Sequence, residues 1–205
     1  AGLWACAAEP STVDPAGEEA AAGPQVLGVG PSGLPNFVTG VLALAPQPAG
    51  WTRPEIDLGP ALREVTPIFG LSPDQLELRR SWTDELGYGH ARFARVFRGL
   101  PVVGSELLVH VDDQGVVYAA NGDGFAGIEI DPTPAVSEEQ ARGVAVAAPG
   151  ELRALESRLV WIVPQLTGVA HLAWEVRTEG KDERGGLAAE RVYVDAHDGQ
   201  VVNRH

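Results

Sequence analysis

Four strand-like stretches follow one another between Leu76 and Gly122: LELRRSWT (76–83), HARFARVF (90–97), PVVGSELLVHV (101–111) and GVVYAANG (115–122). Each alternates or runs apolar, and the breaks between them, ELGYG, RGLP and DDQG, are turn signals. That pattern predicts an antiparallel meander of four strands, and it limits the choice of fold more than any other segment does. Ahead of it, Leu58, Leu62, Val65 and Phe69 are spaced for one face of a helix, with Asp57 as a cap and Pro60 in the first turn. Pro67 falls late in that pattern, where it shortens or kinks a helix, and Gly70 follows.

The same order then recurs. Ser137–Gln140 (SEEQ) is a capping box that opens a helix to about Ala148, ahead of Pro149 and Gly150. RLVWIVP (158–164), VAHLAWEVRT (169–178) and ERVYVDA (190–196) read as strands, with the charged EGKDERGG as an exposed loop. A turn at HDGQ leads to a closing VVN. The class is α+β, as two consecutive helix-plus-antiparallel-sheet domains. Residues 1–35 form a flexible leader, 36–130 the first domain and 131–205 the second.

The leader is rich in Ala, Gly, Pro and Glu and has no basic residue, too little apolar surface to offset chain entropy. Within it GVGPSG (Gly28–Gly33) matches a dinucleotide-binding fingerprint in form, but prolines and an extended run follow, so it reads as a loop. NFVTGVLAL (36–44) reads as a strand and APQPAG (45–50) as a linker. The opening letters AGLWACAAEP resemble the tail of an export signal, with ACA as a cleavage site or Cys6 as a lipidation site. Secretion to an extracellular or periplasmic location, with Cys6 as a candidate lipid anchor, is the expectation. There is no methionine, so Ala1 is not a translation start.

Against 28 acidic residues stand 15 basic ones, a net charge of −13, which opposes nucleic-acid binding. No run of 18 apolar residues exists to span a membrane. The single cysteine leaves no internal disulfide and no Cys-based zinc site. None of the histidines, at 90, 110, 171, 197 and 205, belongs to an H-E-x-x-H helix, and no G-x-S-x-G elbow or P-loop occurs. Asp112 and Asp113 precede Gly115 as turn residues, without the further oxygen ligands that calcium needs. Trp161 and Trp174 read as core, while Trp51 and Trp82 are more ambiguous. No catalytic residue, cofactor site or metal site is expected.

The stretch DELGYGHARFARVFRGLPVVGSELLVHVDDQGVVYAANG (84–122) resembles the fungalysin/thermolysin propeptide domain of secreted zinc metalloproteases. The resemblance rests on His90, Arg92, Gly99, Pro101, Val102, Gly104, Glu106, His110, Gly115, Asn121 and Gly122. It departs from the pattern where the family carries glutamines and this chain has Ala94 and Arg95. The second unit is similar to the PepSY domain of the same precursors, through HLAWEVRT and a V-D-A-x-x-G-x-V pattern at Val194, Asp195, Ala196, Gly199 and Val201.

The resemblance implies a non-catalytic prosegment, monomeric on its own, whose partner is the cognate zinc metalloprotease catalytic domain. It implies an intramolecular chaperone and inhibitor, its C-terminal tail lying in the active-site cleft until maturation. A short strand with free backbone groups suits such a cleft. Val201 and Val202 would hold the sheet, with Asn203, Arg204 and His205 projecting outward and His205 preceding the cut. Val202–His205 are thus the expected cleft-binding residues. The alternative is a free-standing exported inhibitor or envelope lipoprotein of the same fold.

Overall fold

The computed structural model describes residues 23–45, 58–123, 128–147, 150–164 and 167–205. Asp57, Trp51 and the leader residues around Cys6 lie outside that set. The described chain is α+β, two short helices against one mostly antiparallel sheet of ten strands.

The first strands are β1 (Gln25–Val29) and β2 (Pro35–Leu44). Helix α1 (Gly59–Val65) follows, with Pro60 in its first turn and Leu58 at its N-cap. It tightens into a 3-10 turn over Thr66–Phe69, because Pro67 has no N–H to continue the α ladder. The Thr66 hydroxyl donates to Leu62 O at 2.7 Å, and Gly70 ends the turn at φ 65°. The meander is β3 (Leu76–Thr83), β4 (Gly89–Phe97), β5 (Leu100–Val111) and β6 (Val116–Gly122). Leu62, Val65 and Phe69 pack on its inner face, formed by residues such as Ala91, Phe93, Leu107, Val109 and Ala120.

Helix α2 (Glu138–Val146) begins at the Ser137–Gln140 box, with Ser137 Oγ accepting from Gln140 N and Gln140 Oε1 from Ser137 N. It buries Ala141 and Ala145 against Val176, Val192 and Val194. The remaining strands are β7 (Gly150–Ile162), β8 (His171–Asp182), β9 (Leu187–Asp195) and β10 (Val201–Arg204). The sheet runs β1-β2-β6-β5-β7-β8-β9-β10, with β3 and β4 added on β5. The strands packed on α1 and those packed on α2 are joined where β5 meets β7 in parallel, Val102 opposite Trp161 and Val103 opposite Ile162. Trp161 is fully buried there, its indole donates to Phe97 O at 2.9 Å, and its ring meets Phe97 edge-on.

Two local expectations are corrected. Residues 25–35 are not flexible leader: Gln25–Val29 pair with Pro35–Thr39 through the GVGPSG turn, where Gly30 N reaches Leu34 O. The averaged composition of 1–35 hides a five-residue strand whose backbone bonds lie on β2. EGKDERGG is not all loop either. β8 and β9 continue to a tight turn in which Asp182 Oδ1 accepts from the amides of Arg184 and Gly186. Much of this arm is exposed, so no apolar alternation marks it in the sequence.

Because Trp161 fills the junction and satisfies Phe97 O, Trp161→Ala should destabilise the chain by about 3–5 kcal/mol. Urea denaturation followed by circular dichroism would measure it, and a loss under about 1 kcal/mol would show that the junction carries little stability.

Candidate functional site

Residues paired across a sheet share a face, and successive residues alternate. One row reads Trp82, His90, His110, Ala119 and Thr39 across β3, β4, β5, β6 and β2. The next reads Arg80, Arg92, Leu108, Asn121 and Phe37. The residues between these rows face α1 and form the core. His90, Arg92, Glu106, His110 and Asn121 therefore lie together on the face turned away from α1. The strand period of two explains why the histidine and arginine stand two apart.

On this face the polar groups join into a chain. Asp84 Oδ1 accepts from the amides of Leu86 and Tyr88, both at 2.9 Å, which closes the β3–β4 turn. Its Oδ2 lies 3.0 Å from His90 Nε2. His90 Nδ1 lies 2.8 Å from His110 Nδ1, and His110 Nε2 lies 2.9 Å from Asn121 Oδ1. Trp82 stacks on His90, with Arg80 over the indole. The hydrogen bond from His90 holds the Asp84 carboxyl below its ordinary range, aided by the Tyr88 and Leu86 amides. Burial pushes the Tyr118 phenol up, as do Asp84, Tyr88 and Asp112. His110, Tyr118, Ala119 and Asn121 line a shallow depression of about 580 Å³ with Asn36 and Phe37. Arg92 faces Glu106 at 3.6 Å.

The other motif positions serve the backbone. Gly99 turns β4 into β5 at φ 78°, and Gly104 sits in a break of the β4–β5 register at φ 76°. A Cβ on Gly122 would lie 2.2 Å from Glu106 O. Pro101 pairs with Val96, and Val102 is buried in the cluster containing Trp161. Arg95, which replaces a glutamine of the pattern, is buried in β4, and desolvation lowers its pKa.

The C-terminal strand departs from the expected projecting tail. Val201, Asn203 and Arg204 pair with Val194, Tyr193 and Val192, and His205 exchanges two backbone bonds with Arg191. The His205 ring stacks on Tyr193. Arg204 binds Glu190 at 2.6 Å and donates to Ala145 O at the end of α2. Val202 packs beside Val160, Ile162, Ala173 and Tyr193. Strand pairing satisfies backbone groups that a projecting end would leave to water. Asp195 forms the turn before β10: Oδ1 accepts from His197 N and Asp198 N, Oδ2 from His171 Nδ1 at 2.7 Å. Gly199, at φ 77°, donates its amide to Asp195 O.

The structure thus joins His90, His110 and Asn121 but separates them from Val202–His205, with β7, β8 and β9 lying between β5 and β10. Cys6 lies outside the described residues. Among the described residues no group of three or more His, Cys, Asp or Glu is arranged to hold a metal, and no helix is long and apolar enough to cross a membrane. Asp84, Tyr118 and Glu190 are participants that the sequence reading missed. Asp84 entered there only as the first letter of the stretch 84–122, and its reach to His90 depends on the hairpin closing.

Residues 74–124 match the Fungalysin/Thermolysin Propeptide Motif. The chain is 39% identical over 93 residues to Bacillolysin of Bacillus subtilis (strain 168), covering 44% of this chain and 18% of that protein. It is 30% identical over 149 residues to the thermostable neutral protease NprT of Geobacillus stearothermophilus, covering 67% of this chain and 26% of that protein. The solved Bacillus megaterium YpeB C-terminal domain aligns with a TM-score of 0.41 and 18% identity, over 84% of this chain and 72% of that one. The chain carries a propeptide motif of the thermolysin-like proteases, and the matches span about a fifth to a quarter of those relatives' lengths.

Asp195 yields a direct test. Burial raises its pKa, but the His171 hydrogen bond and the His197 and Asp198 amides outweigh that and leave it lowered. A lowered carboxylate adds stability above its unfolded pKa of about 3.9 that is lost as pH falls through the folded value. Asp195→Asn should therefore cost about 1.5–3 kcal/mol at pH 7 in urea denaturation, with the gap to wild type closing below about pH 4. A pH-independent gap would mean that the charge contributes nothing.

Proposed function

We propose that this chain is the prosegment of a secreted thermolysin-like zinc metalloprotease, acting as intramolecular chaperone and inhibitor of the catalytic domain. The observation that supports it best is the propeptide motif at residues 74–124, whose polar members converge on one open sheet face. A core needs no such row of His, Arg, Glu and Asn side chains, whereas a docking face with complementary charge does. Residues 36–130 would be the propeptide-motif domain and 131–205 a PepSY-like domain. Stable docking would bury about 1,600 Å² in total.

In this reading Val202–His205 enter the protease cleft, and maturation cuts after His205. Among the described residues β10 ends the sheet path, which leaves one of its edges open to pair with an extended segment of the partner. Placing His205 deeper in a cleft would require release of its two bonds to Arg191 and of the Arg204–Glu190 ion pair. While the prosegment is covalently attached, the tail's high effective concentration makes modest contacts sufficient. The chaperone role would come from binding protease surfaces already formed in its folding transition state.

Inhibition of a thermolysin-like protease by the 205-residue chain tests this, beside a variant lacking Val202–His205 and the variant Arg92→Glu. The full chain should inhibit, and each variant should lose about tenfold or more. Equal inhibition by the deletion would remove the tail from the mechanism. No inhibition by the full chain, with no gain in refolding yield of the denatured protease, would overturn the proposal.

A further inference from the structure

The hydrogen-bond chain on the open face has a proton count built into it. A carboxylate oxygen only accepts, so His90 Nε2 donates to Asp84 Oδ2. Asn121 Oδ1 also accepts, so His110 Nε2 donates to it. The two Nδ1 atoms are left 2.8 Å apart, with room for one hydrogen between them. With that hydrogen on one ring and a lone pair on the other, every polar atom is satisfied, and a single imidazolium faces the Asp84 carboxylate. Without the extra proton the chain is satisfied again once the Asn121 amide turns to donate, an orientation assigned from its partners. With two protons it fails, because N–H confronts N–H and two cations meet at contact distance.

We propose that His90 and His110 form an acid-triggered switch in the open face: the pair holds one proton between its Nδ1 atoms and parts when a second arrives. His110 has the space to move, since it borders the depression lined by Asn36, Phe37, Tyr118 and Asn121. The consequence for docking, a weaker grip on the protease in acid, rests on the function proposed above.

The surrounding groups leave the histidines as the ones that change. Asp84 is held below the usual carboxylate range by His90 and the turn amides, so it stays ionised as histidines titrate. Tyr118 on β6, raised by burial and by Asp84, Tyr88 and Asp112, stays neutral. Arg80 on β3 and Arg92 on β4 stay charged, and Glu106 on β5 lies against Arg92. β2 contributes Thr39 and Phe37 to these rows, neither of them titratable.

The sign follows from the proton count. An unfolded chain protonates both histidines below about pH 6.5, whereas the folded pair accepts one proton. The unfolded state therefore binds more protons in acid, and stability falls as pH falls.

The test uses histidine side-chain nitrogen NMR and urea denaturation on the 205-residue chain from pH 7.5 to 5.0, beside His110→Gln. The bridging-proton signal should be present at pH 7.5 and lost by pH 5.0, and the folding constant should drop over the same range. His110→Gln should lack that drop. Two rings titrating independently, with no bridging proton at pH 7.5, would overturn the proposal, and this arm decides even where His110→Gln fails to fold. The same drop in a folded His110→Gln would also overturn it. Protease inhibition at pH 7.5 and 5.5 separates the two readings. A switch seen by NMR without inhibition at either pH sinks the docking function alone. Inhibition that is equal at both pH values, with the NMR switch present, sinks the regulatory role.

Discussion

The architecture depends on how the two edges of β5 are used. β4 runs along one edge, while β6 and β7 divide the other, β6 taking Leu107–Val111 and β7 only Val102 and Val103. Two parallel residue pairs give few backbone bonds, so the joint relies on side chains. Trp161 is the largest fully buried side chain and finds a partner for its indole in Phe97 O, at the end of β4. That carbonyl is presented by the Arg98–Gly99 turn, both residues at positive φ. Gly99, Pro101 and Val102 therefore serve the joint. His90, Arg92, Glu106, His110 and Asn121 serve the open face, so one continuous motif performs two separate jobs.

The far end of the sheet is built on the same economy of contacts. β10 is short, and its register with β9 slips between Val201 and Asn203. The Asp195 turn fixes where it starts, and Arg204, bonded to Glu190 and Ala145 O, fixes where it lies. Glu175, nearly buried in β8, takes Arg158 on one flank and Arg191 on the other, so the strands beneath the tail are tied by charge as well as by backbone. Such a partly buried carboxylate holds its strands in place only while its arginines remain, because a lone buried charge is costly.

Much of this was readable in advance wherever a single physical rule dominates. Turn chemistry and alternation placed β3 to β6, the Ser137–Gln140 box placed the start of α2, and Pro67 explains the tightening after α1. The reading failed where the deciding interaction is non-local. β1 is short and exposed, and pairing with β2 makes it a strand. The Asp182 arm has no apolar face to reveal it. The tail was read as projecting because its pairing with Val192–Val194 depends on the Asp195 turn folding it back. His90 and His110 were each placed in a strand and counted among the residues of the propeptide-like pattern. Their contact with each other depends on a strand register that the letters alone do not specify.

That register also constrains any partner. The open face of β4 and β5 and the tail strand β10 are four strand steps apart, through β7, β8 and β9. At about 4.8 Å per step the sideways separation is about 20 Å, and His110 lies a further stretch of about 26 Å along β5 from the Val102–Trp161 pair. Twist acts against a flat contact: about 20–25° per step accumulates to roughly 80–100° over four steps. A partner touching both His90–His110 and Val202–His205 must therefore present two surfaces at a steep angle, as a body with a cleft does. A flat partner would meet one region and miss the other.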